Sequence, residues 1–116
     1  MPTTLSKSRQ VAFSNQQGRC YYCEYSMWLE SPDAFAAVFG ISKSAALRFR
    51  CTAEHLKARK DGGKNSRENI VAACSFCNMT RHRAKSPQNP MIYRKRVIHR
   101  LGLGKWHPKE FRHILS

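Results

Sequence analysis

The pattern of apolar and polar positions predicts short helices arranged around one pair of strands. A first helix is expected over residues 5–18, in which Val11 and Ala12 belong to a partial apolar face and Gly18 supplies a stop. The segment that follows, R-C-Y-Y-C-E, has no clear periodicity and is typical of a tight turn.

A pair of helices is predicted next. Ser31 is a favourable N-cap and Pro32 suits the first helical position, so a helix is expected over residues 31–39. Gly40 breaks the pattern, and a further helix capped by a serine is expected over about residues 42–49.

The second half of the chain predicts a hairpin and two more helices. Strands are expected over residues 51–57 and 69–73, joined by the polar loop ARKDGGKNSRE. Helices are expected over residues 75–85 and 90–101, followed by a turn-rich tail that begins LGLGKWHP. The apolar residues of the last helix that are expected to face inward are Ile92, Val97, Ile98 and Leu101. The order of elements is that of a small α+β fold.

Charge is the unusual feature of the composition. The 116 residues fit one domain and contain 21 Lys and Arg but only 7 Asp and Glu, which gives a formal charge of +14. Because such an excess repels itself in a compact state, a polyanionic partner such as nucleic acid is expected. A membrane is not expected, since the sequence has neither a long apolar stretch nor a signal peptide, and we predict a cytoplasmic or nucleoid-associated protein.

The cysteines predict a metal site. Cys20 and Cys23 form one C-x-x-C pair, and Cys74 and Cys77 form another about fifty residues later. Two such pairs are typical of a structural Zn²⁺ held by four thiolates, which leaves no open position for chemistry. A redox role for either pair is the alternative, but two matched pairs are better explained by one shared ion. We interpret Cys51 as a small buried hydrophobe.

A second group of residues has the composition of a phosphodiesterase site. Hydrolysis of a phosphodiester requires a base, a cation and groups that hold the backbone. Glu54 and His55 offer an oxygen ligand and an imidazole at a strand end, and Asn69 opens the next strand, where its amide is expected to fix the ring of His55. Asn78 directly follows the last zinc ligand, so the zinc site is expected to fix its position.

The ordered set E-H-L, D-G-G, E-N-I-V-A-A-C-x-x-C-N resembles the HNH endonuclease family, in the branch that carries a four-cysteine zinc site. The resemblance implies a ββα-metal (His-Me finger) core in a single domain over residues 1–116. That core would comprise about residues 9–23 and 51–85, with a helical insertion over about 31–49 and a C-terminal helix and tail over about 90–116.

The resemblance also implies roles for these residues. His55 would be the general base and Asn69 would orient it, while Glu54 and Asn78 would bind a catalytic Mg²⁺ or another divalent ion such as Mn²⁺. The substrate would be DNA, with double-stranded DNA favoured and RNA as the alternative. The protein would act as a monomer or a homodimer. His82, one helical turn after Asn78, is a further candidate ligand.

One departure from the family pattern concerns the residue before the histidine, which is Glu54 where the family commonly has Asp. The side chain is one methylene longer, and this affects how it reaches a metal ion. Basic residues around the site are expected to contact phosphates, which supplies affinity but not sequence choice. These residues are Lys57, Arg59, Arg81, Arg83 and Lys85.

Two other functions fit parts of the sequence. A catalytically inactive zinc-knuckle protein that binds nucleic acid or regulates would explain the charge and the cysteines. It would not explain the presence of Glu54, His55, Asn69 and Asn78 together. Residues 34–49 also resemble a helix-turn-helix with Gly40 at the turn, although we favour a packing role for them over reading of DNA.

Overall fold

A computed structural model describes residues 3–115 and contains an antiparallel hairpin followed directly by a helix. Strand β1 (Cys51–His55) pairs with β2 (Ile70–Cys74), so that Cys51 lies opposite Cys74 and His55 lies opposite Ile70. The small α+β fold predicted from the sequence is confirmed, and its hairpin and following helix are consistent with a ββα-metal core. Each strand is five residues long, and both lie within one or two residues of their predicted limits.

Helix α1 (Thr4–Asn15) covers the hairpin and ends earlier than predicted, since Gln16 and not Gly18 follows its last turn. The backbone leaves the helical conformation at Gln17 (φ 56°) and Gly18 (φ 73°), and the side chain of Gln16 pairs with the edge of β2. Its amide oxygen accepts from the Ala72 N–H and its amide nitrogen donates to the Ala72 carbonyl, both at 2.9 Å. A residue that completes a sheet edge in this way anchors the chain where the helix stops.

The predicted pair of helices is confirmed, and so are its caps. Helix α2 (Pro32–Phe39) ends at Gly40, which has a left-handed backbone with φ 65°, and α3 (Lys43–Ala46) continues into a 3-10 turn over Leu47–Phe49. The hydroxyl groups of Ser31 and Ser42 accept hydrogen bonds from the N–H groups three residues later.

Helix α4 (Ser75–His82) follows β2 without a loop and ends three residues before the predicted limit. Helix α5 (Pro90–Gly102) agrees closely with its prediction, but only part of its predicted apolar face is inward. Leu101 packs against the core, as predicted. Val97 is fully buried, as predicted, and it is joined by Tyr93, whereas Ile92 and Ile98 are about half exposed. No helix within residues 3–115 combines the length and the apolar character needed to cross a lipid bilayer.

The tail begins with turns, as predicted, and residues further along it are part of the core. It forms a 3-10 helix over Lys109–Leu115, and Phe111 packs edge-on against Phe49 with ring centroids 5.6 Å apart. His107 is buried in the same cluster and accepts a hydrogen bond from Arg48 at 2.9 Å. Burial and the charge of Arg48 lower the pKa of His107 to about 3, so this histidine serves as a neutral packing group.

The insertion packs against the tail and the zinc-binding segment. Phe35 and Ala46 are buried, and the Arg48 guanidinium lies 3.6 Å from the centre of the Phe76 ring. Val38 and Leu47 are exposed. The buried residues of the insertion therefore have a packing role.

The burial of the tail predicts a large loss of stability on truncating Ile114, which is fully buried. Ile114→Ala is expected to lower the free energy of unfolding by about 2–5 kcal/mol, because it removes buried methyl groups and leaves a cavity. Leu115→Ala is the matched control, since Leu115 is 41% exposed. Urea unfolding of both variants provides the measurement, and equal small losses would contradict a core role for the tail.

Candidate active site and zinc centre

Four cysteine side chains meet at one buried point between the first turn after α1 and the junction of β2 with α4. The Sγ atoms of Cys20, Cys23, Cys74 and Cys77 all lie within 4.8 Å of one another, and all four residues are buried. Zn–S bonds near 2.3 Å place the sulfurs of a tetrahedral site about 3.8 Å apart. The Cys23 and Cys74 sulfurs are 3.9 Å apart. The cluster therefore fits a structural zinc ion, as predicted.

The surroundings of the cluster favour bound thiolates. The Cys20 sulfur accepts from the N–H groups of Tyr22 and Cys74, and the Trp106 indole N–H donates to the Cys77 sulfur at 3.3 Å. Burial raises the pKa of the Cys20 thiol, but hydrogen bonds with the other three cysteines outweigh it, so that the pKa lies well below its ordinary value. Burial raises the pKa of the Cys23 and Cys77 thiols well above theirs. A cation removes this conflict, because it stabilises all four thiolates together.

Cys51 stands apart from the zinc ligands. It is buried, and burial raises the pKa of its thiol to about 12. A thiol in such surroundings is unreactive, because the thiolate is the nucleophile. The interpretation of Cys51 as a small buried hydrophobe agrees with this environment.

An open cavity of about 770 Å³ lies beside the zinc centre. It is bounded by the end of β1, the loop after it, one side of α4 and the start of α5. The predicted site residues that line it include Glu54, His55, Asn78, Arg81 and His82. Residues distant in the sequence thus meet at one cavity, and the zinc site fixes the hairpin and the helix that present them.

Glu54 is the most enclosed residue of this group, being only 2% exposed. Its Oε2 atom accepts hydrogen bonds from the Tyr22 hydroxyl at 2.9 Å and from the Arg81 guanidinium at 3.1 Å. Burial and the charge of Glu54 raise the pKa of Tyr22, so the phenol stays protonated and donates. Sequence reasoning missed Tyr22, since an aromatic residue between two cysteines is equally typical of plain packing.

His82 lies on the other side of the carboxylate, with its Nε2 atom 3.0 Å from Oε1 of Glu54. The side chain is half exposed at the mouth of the cavity. Asn78, one turn earlier on α4, uses its amide nitrogen to donate to the Thr52 hydroxyl at 3.0 Å and the Ala53 carbonyl at 3.2 Å. Both of these bonds tie α4 to β1 and leave the amide oxygen of Asn78 as the atom that can serve another partner.

The structure assigns Asn69 a different contact from the predicted one. Its side chain accepts from the Lys57 N–H and donates to the carbonyls of Lys57 and Lys64, at 2.8–3.0 Å. It therefore closes the loop after β1 and does not bond to the ring of His55. That ring bonds instead to Asn65, whose Oδ1 atom lies 2.8 Å from the Nε2 atom of His55.

The loop between the strands is closed so tightly that one position requires glycine. A Cβ atom built on Gly63 would lie 1.8 Å from the Lys57 carbonyl oxygen and 2.8 Å from that of Ala58. These contacts are with backbone, which cannot move aside without opening the loop. Asn69 and Gly63 thus hold together the segment that carries Asn65.

The predicted basic residues do not form one group. Lys57, Arg59 and Lys85 are exposed and line the cavity, as a role in binding phosphate requires, and Arg83 is exposed but lies outside the lining. Arg81 has a side chain only 10% exposed, which bonds to Glu54 and to the Gln88 carbonyl, so it is not placed as a free phosphate contact.

Removal of one zinc ligand is expected to unfold the domain. Binding of a structural zinc is worth about 10–16 kcal/mol in zinc-finger peptides, which matches or exceeds the whole stability of a typical domain. Cys77→Ala is therefore expected to lose zinc and its cooperative thermal transition, as measured by elemental analysis and circular dichroism. Cys51→Ala is the control and should keep one zinc ion per chain; loss of zinc from both variants would argue against the assigned ligand set.

A methyl group at Gly63 is expected to disturb the cavity without removing the zinc. Gly63→Ala places a carbon on the Lys57 carbonyl, so the loop must open and Asn65 must leave His55. We expect unchanged zinc content and a changed His55 resonance in the NMR spectrum. Gly102→Ala is the control, because a Cβ atom there meets nothing within 4 Å. An unchanged His55 signal in Gly63→Ala would contradict the expectation that Gly63 keeps Asn65 in contact with His55.

Comparison with known proteins gave one match. The model of the HNH endonuclease family matches residues 43–84, which include the hairpin, α4 and two of the zinc ligands. No curated protein and no solved structure matched the chain. Members of the family are nucleases that act on nucleic acids, so the family supports a nuclease at this general level. Residues 43–84 of this chain are therefore similar to the HNH endonuclease family, and the buried four-cysteine cluster joins this segment to the first part of the chain.

Proposed function

We propose that the protein is a metal-dependent DNA endonuclease with His55 as general base. The observation that carries the proposal is the meeting of Glu54, His55, Asn78 and His82 in one cavity beside exposed basic residues. Each of these residues, taken alone, is equally compatible with a purely structural role. Together they supply a base, ligands for a cation and groups that attract phosphate, which is the set that phosphodiester hydrolysis requires.

The donor set at the cavity fits a divalent ion such as Mg²⁺ or Mn²⁺. Oε2 of Glu54 already accepts from Tyr22 and Arg81, so Oε1 would be the ligand atom. Nε2 of His82 lies 3.0 Å from Oε1 and 3.2 Å from the Arg81 guanidinium. Glu54, His82 and the amide oxygen of Asn78 would together hold the ion.

When bound, the ion stabilises the charge that develops on the phosphate and on the leaving oxygen. The longer side chain of Glu54, compared with the common Asp, lets the carboxylate reach Tyr22 and Arg81 on one side while it offers an oxygen to the cavity on the other. Arg81 partly neutralises this carboxylate and holds it in a single orientation.

In the proposed reaction His55 removes a proton from a water molecule in the cavity. The water oxygen attacks the phosphorus, and the bond from phosphorus to the 3′ oxygen breaks. The products are then a 5′-phosphate and a 3′-hydroxyl once the leaving oxygen gains a proton. A neutral imidazole is suited to this role near neutral pH.

Substrate binding is assigned to the basic residues around the cavity. Lys57, Arg59 and Lys85 line the cavity, and the net charge of +14 draws a polyanion toward the surface. Contacts of this kind hold the backbone without reading bases, and they weaken as salt concentration rises. Double-stranded DNA is the proposed substrate.

The test is a plasmid-cleavage assay with zinc-loaded protein in Mg²⁺, Mn²⁺ or EDTA. Supercoiled DNA is expected to become nicked only with a divalent ion. His55→Ala should lower the rate by about 100- to 10,000-fold, the usual contribution of a general base. Zinc content measured after the EDTA treatment separates loss of the catalytic ion from loss of the structural zinc.

His99→Ala is the matched control, because His99 is an exposed histidine on α5 and does not line the cavity. It should cleave like the parent, and both variants should retain DNA in a gel-shift assay. Full DNA binding without cleavage in any ion, or cleavage indifferent to His55→Ala, would refute the nuclease and favour a zinc-stapled nucleic-acid binding protein.

A further inference from the structure

The loop between β1 and β2 brings one side chain back onto the ring of His55. This side chain belongs to Asn65, whose Oδ1 atom is 2.8 Å from Nε2. We propose that Asn65 is the positioning residue of His55, holding its imidazole in the tautomer that has hydrogen on Nε2 and a free lone pair on Nδ1. The inference rests on the proposed function for its catalytic meaning, but the contact itself can be tested separately.

The direction of the hydrogen bond follows from the atoms. An amide oxygen only accepts, so the Nε2 atom must donate and carries the hydrogen. In neutral imidazole the other nitrogen then has no hydrogen and is the basic atom. The partner of one ring nitrogen thereby selects the nitrogen that can remove a proton from water.

Asn65 is itself fixed from two sides, as a positioning residue must be. Ser8 on α1 is 3% exposed, and its hydroxyl donates to the Asn65 carbonyl at 2.6 Å. Asn69 holds the preceding residue through the Lys64 carbonyl at 2.8 Å. The loop therefore cannot swing Asn65 away from His55 without breaking contacts with both α1 and the start of β2.

This arrangement divides between two residues the role that the sequence assigned to one. Asn69 closes the loop by bonding to backbone on both of its arms. Asn65 makes the contact with the imidazole. Loss of Asn69 should therefore act on His55 through movement of Asn65.

The first experiment observes the ring directly. Zinc-loaded protein labelled with ¹⁵N-histidine is studied by NMR. His55→Ala identifies the His55 signals. The parent should show a hydrogen-bonded Nε2–H proton in slow exchange with water. Asn65→Ala should lose that proton signal and Asn65→Asp should keep it, because a carboxylate also accepts.

The second experiment measures cleavage by the same proteins. Asn65→Ala is expected to lower kcat by about 10- to 100-fold, the usual effect of removing a residue that orients an active-site group. KM should change little, since Asn65 does not line the cavity that would hold the substrate. Asn65→Asp should recover most of kcat. A residue with a merely structural role would not show this rescue together with the proton signal.

Ser66→Ala is the control in the same loop, because the Ser66 hydroxyl bonds to Glu68 and not to His55. It should leave both the proton signal and kcat as in the parent. If Asn65→Ala fails to bind zinc or to melt cooperatively, Ser8→Ala takes its place. That variant keeps the amide but frees its backbone, so the Nε2–H signal should exchange faster and kcat should fall by a smaller factor.

The outcomes separate the two proposals. An Nε2–H signal that persists in Asn65→Ala, or a hydrogen found on Nδ1 in the parent, would overturn the role of Asn65 even if the protein cleaves DNA. A proton signal that depends on Asn65 in a parent that cleaves nothing would support the contact and overturn the proposed function.

Discussion

Mutual repulsion between four buried sulfur atoms is the constraint on which the rest of the structure depends. Thiolates this close together, with no solvent around them, are stable only around a cation, and the ion that satisfies them draws together segments about fifty residues apart. One pair belongs to the turn after α1, and the other belongs to the junction of β2 and α4. The hairpin, the first helix and the helix of the candidate active site therefore take their relative positions from one small centre.

The sequence was sufficient where chemistry depends on spacing. Two C-x-x-C pairs predict that their four sulfur atoms lie close together, because a tetrahedral ion accepts few other arrangements of ligands. The serine caps of α2 and α3 are local signals, and the structure confirms them. The contact between Asn65 and His55 has no such signal. It depends on the path of the loop between β1 and β2. That path depends on Gly63, which lies against the Lys57 carbonyl, and on the Asn69 side chain, which bonds to the backbone of Lys57 and Lys64.

Other features could not be predicted from the sequence, because tertiary packing decides which side chains are buried. Arg81 looks like its exposed basic neighbours, yet a buried carboxylate and a backbone carbonyl hold it inside. The tail has turn residues at its start, yet Phe111 and Ile114 enter the core behind them. A periodic pattern indicates that a face is apolar, but it does not indicate which neighbour is present to cover that face.

Tyr22 lies between the first two zinc ligands, and its hydroxyl bonds to Glu54 in the cavity. The backbone that places this phenol is shaped by the zinc-binding turn, because the Tyr22 N–H also donates to the Cys20 sulfur. Occupancy of the zinc site is therefore expected to influence the cavity, because the turn that carries two zinc ligands also places the phenol that bonds to Glu54.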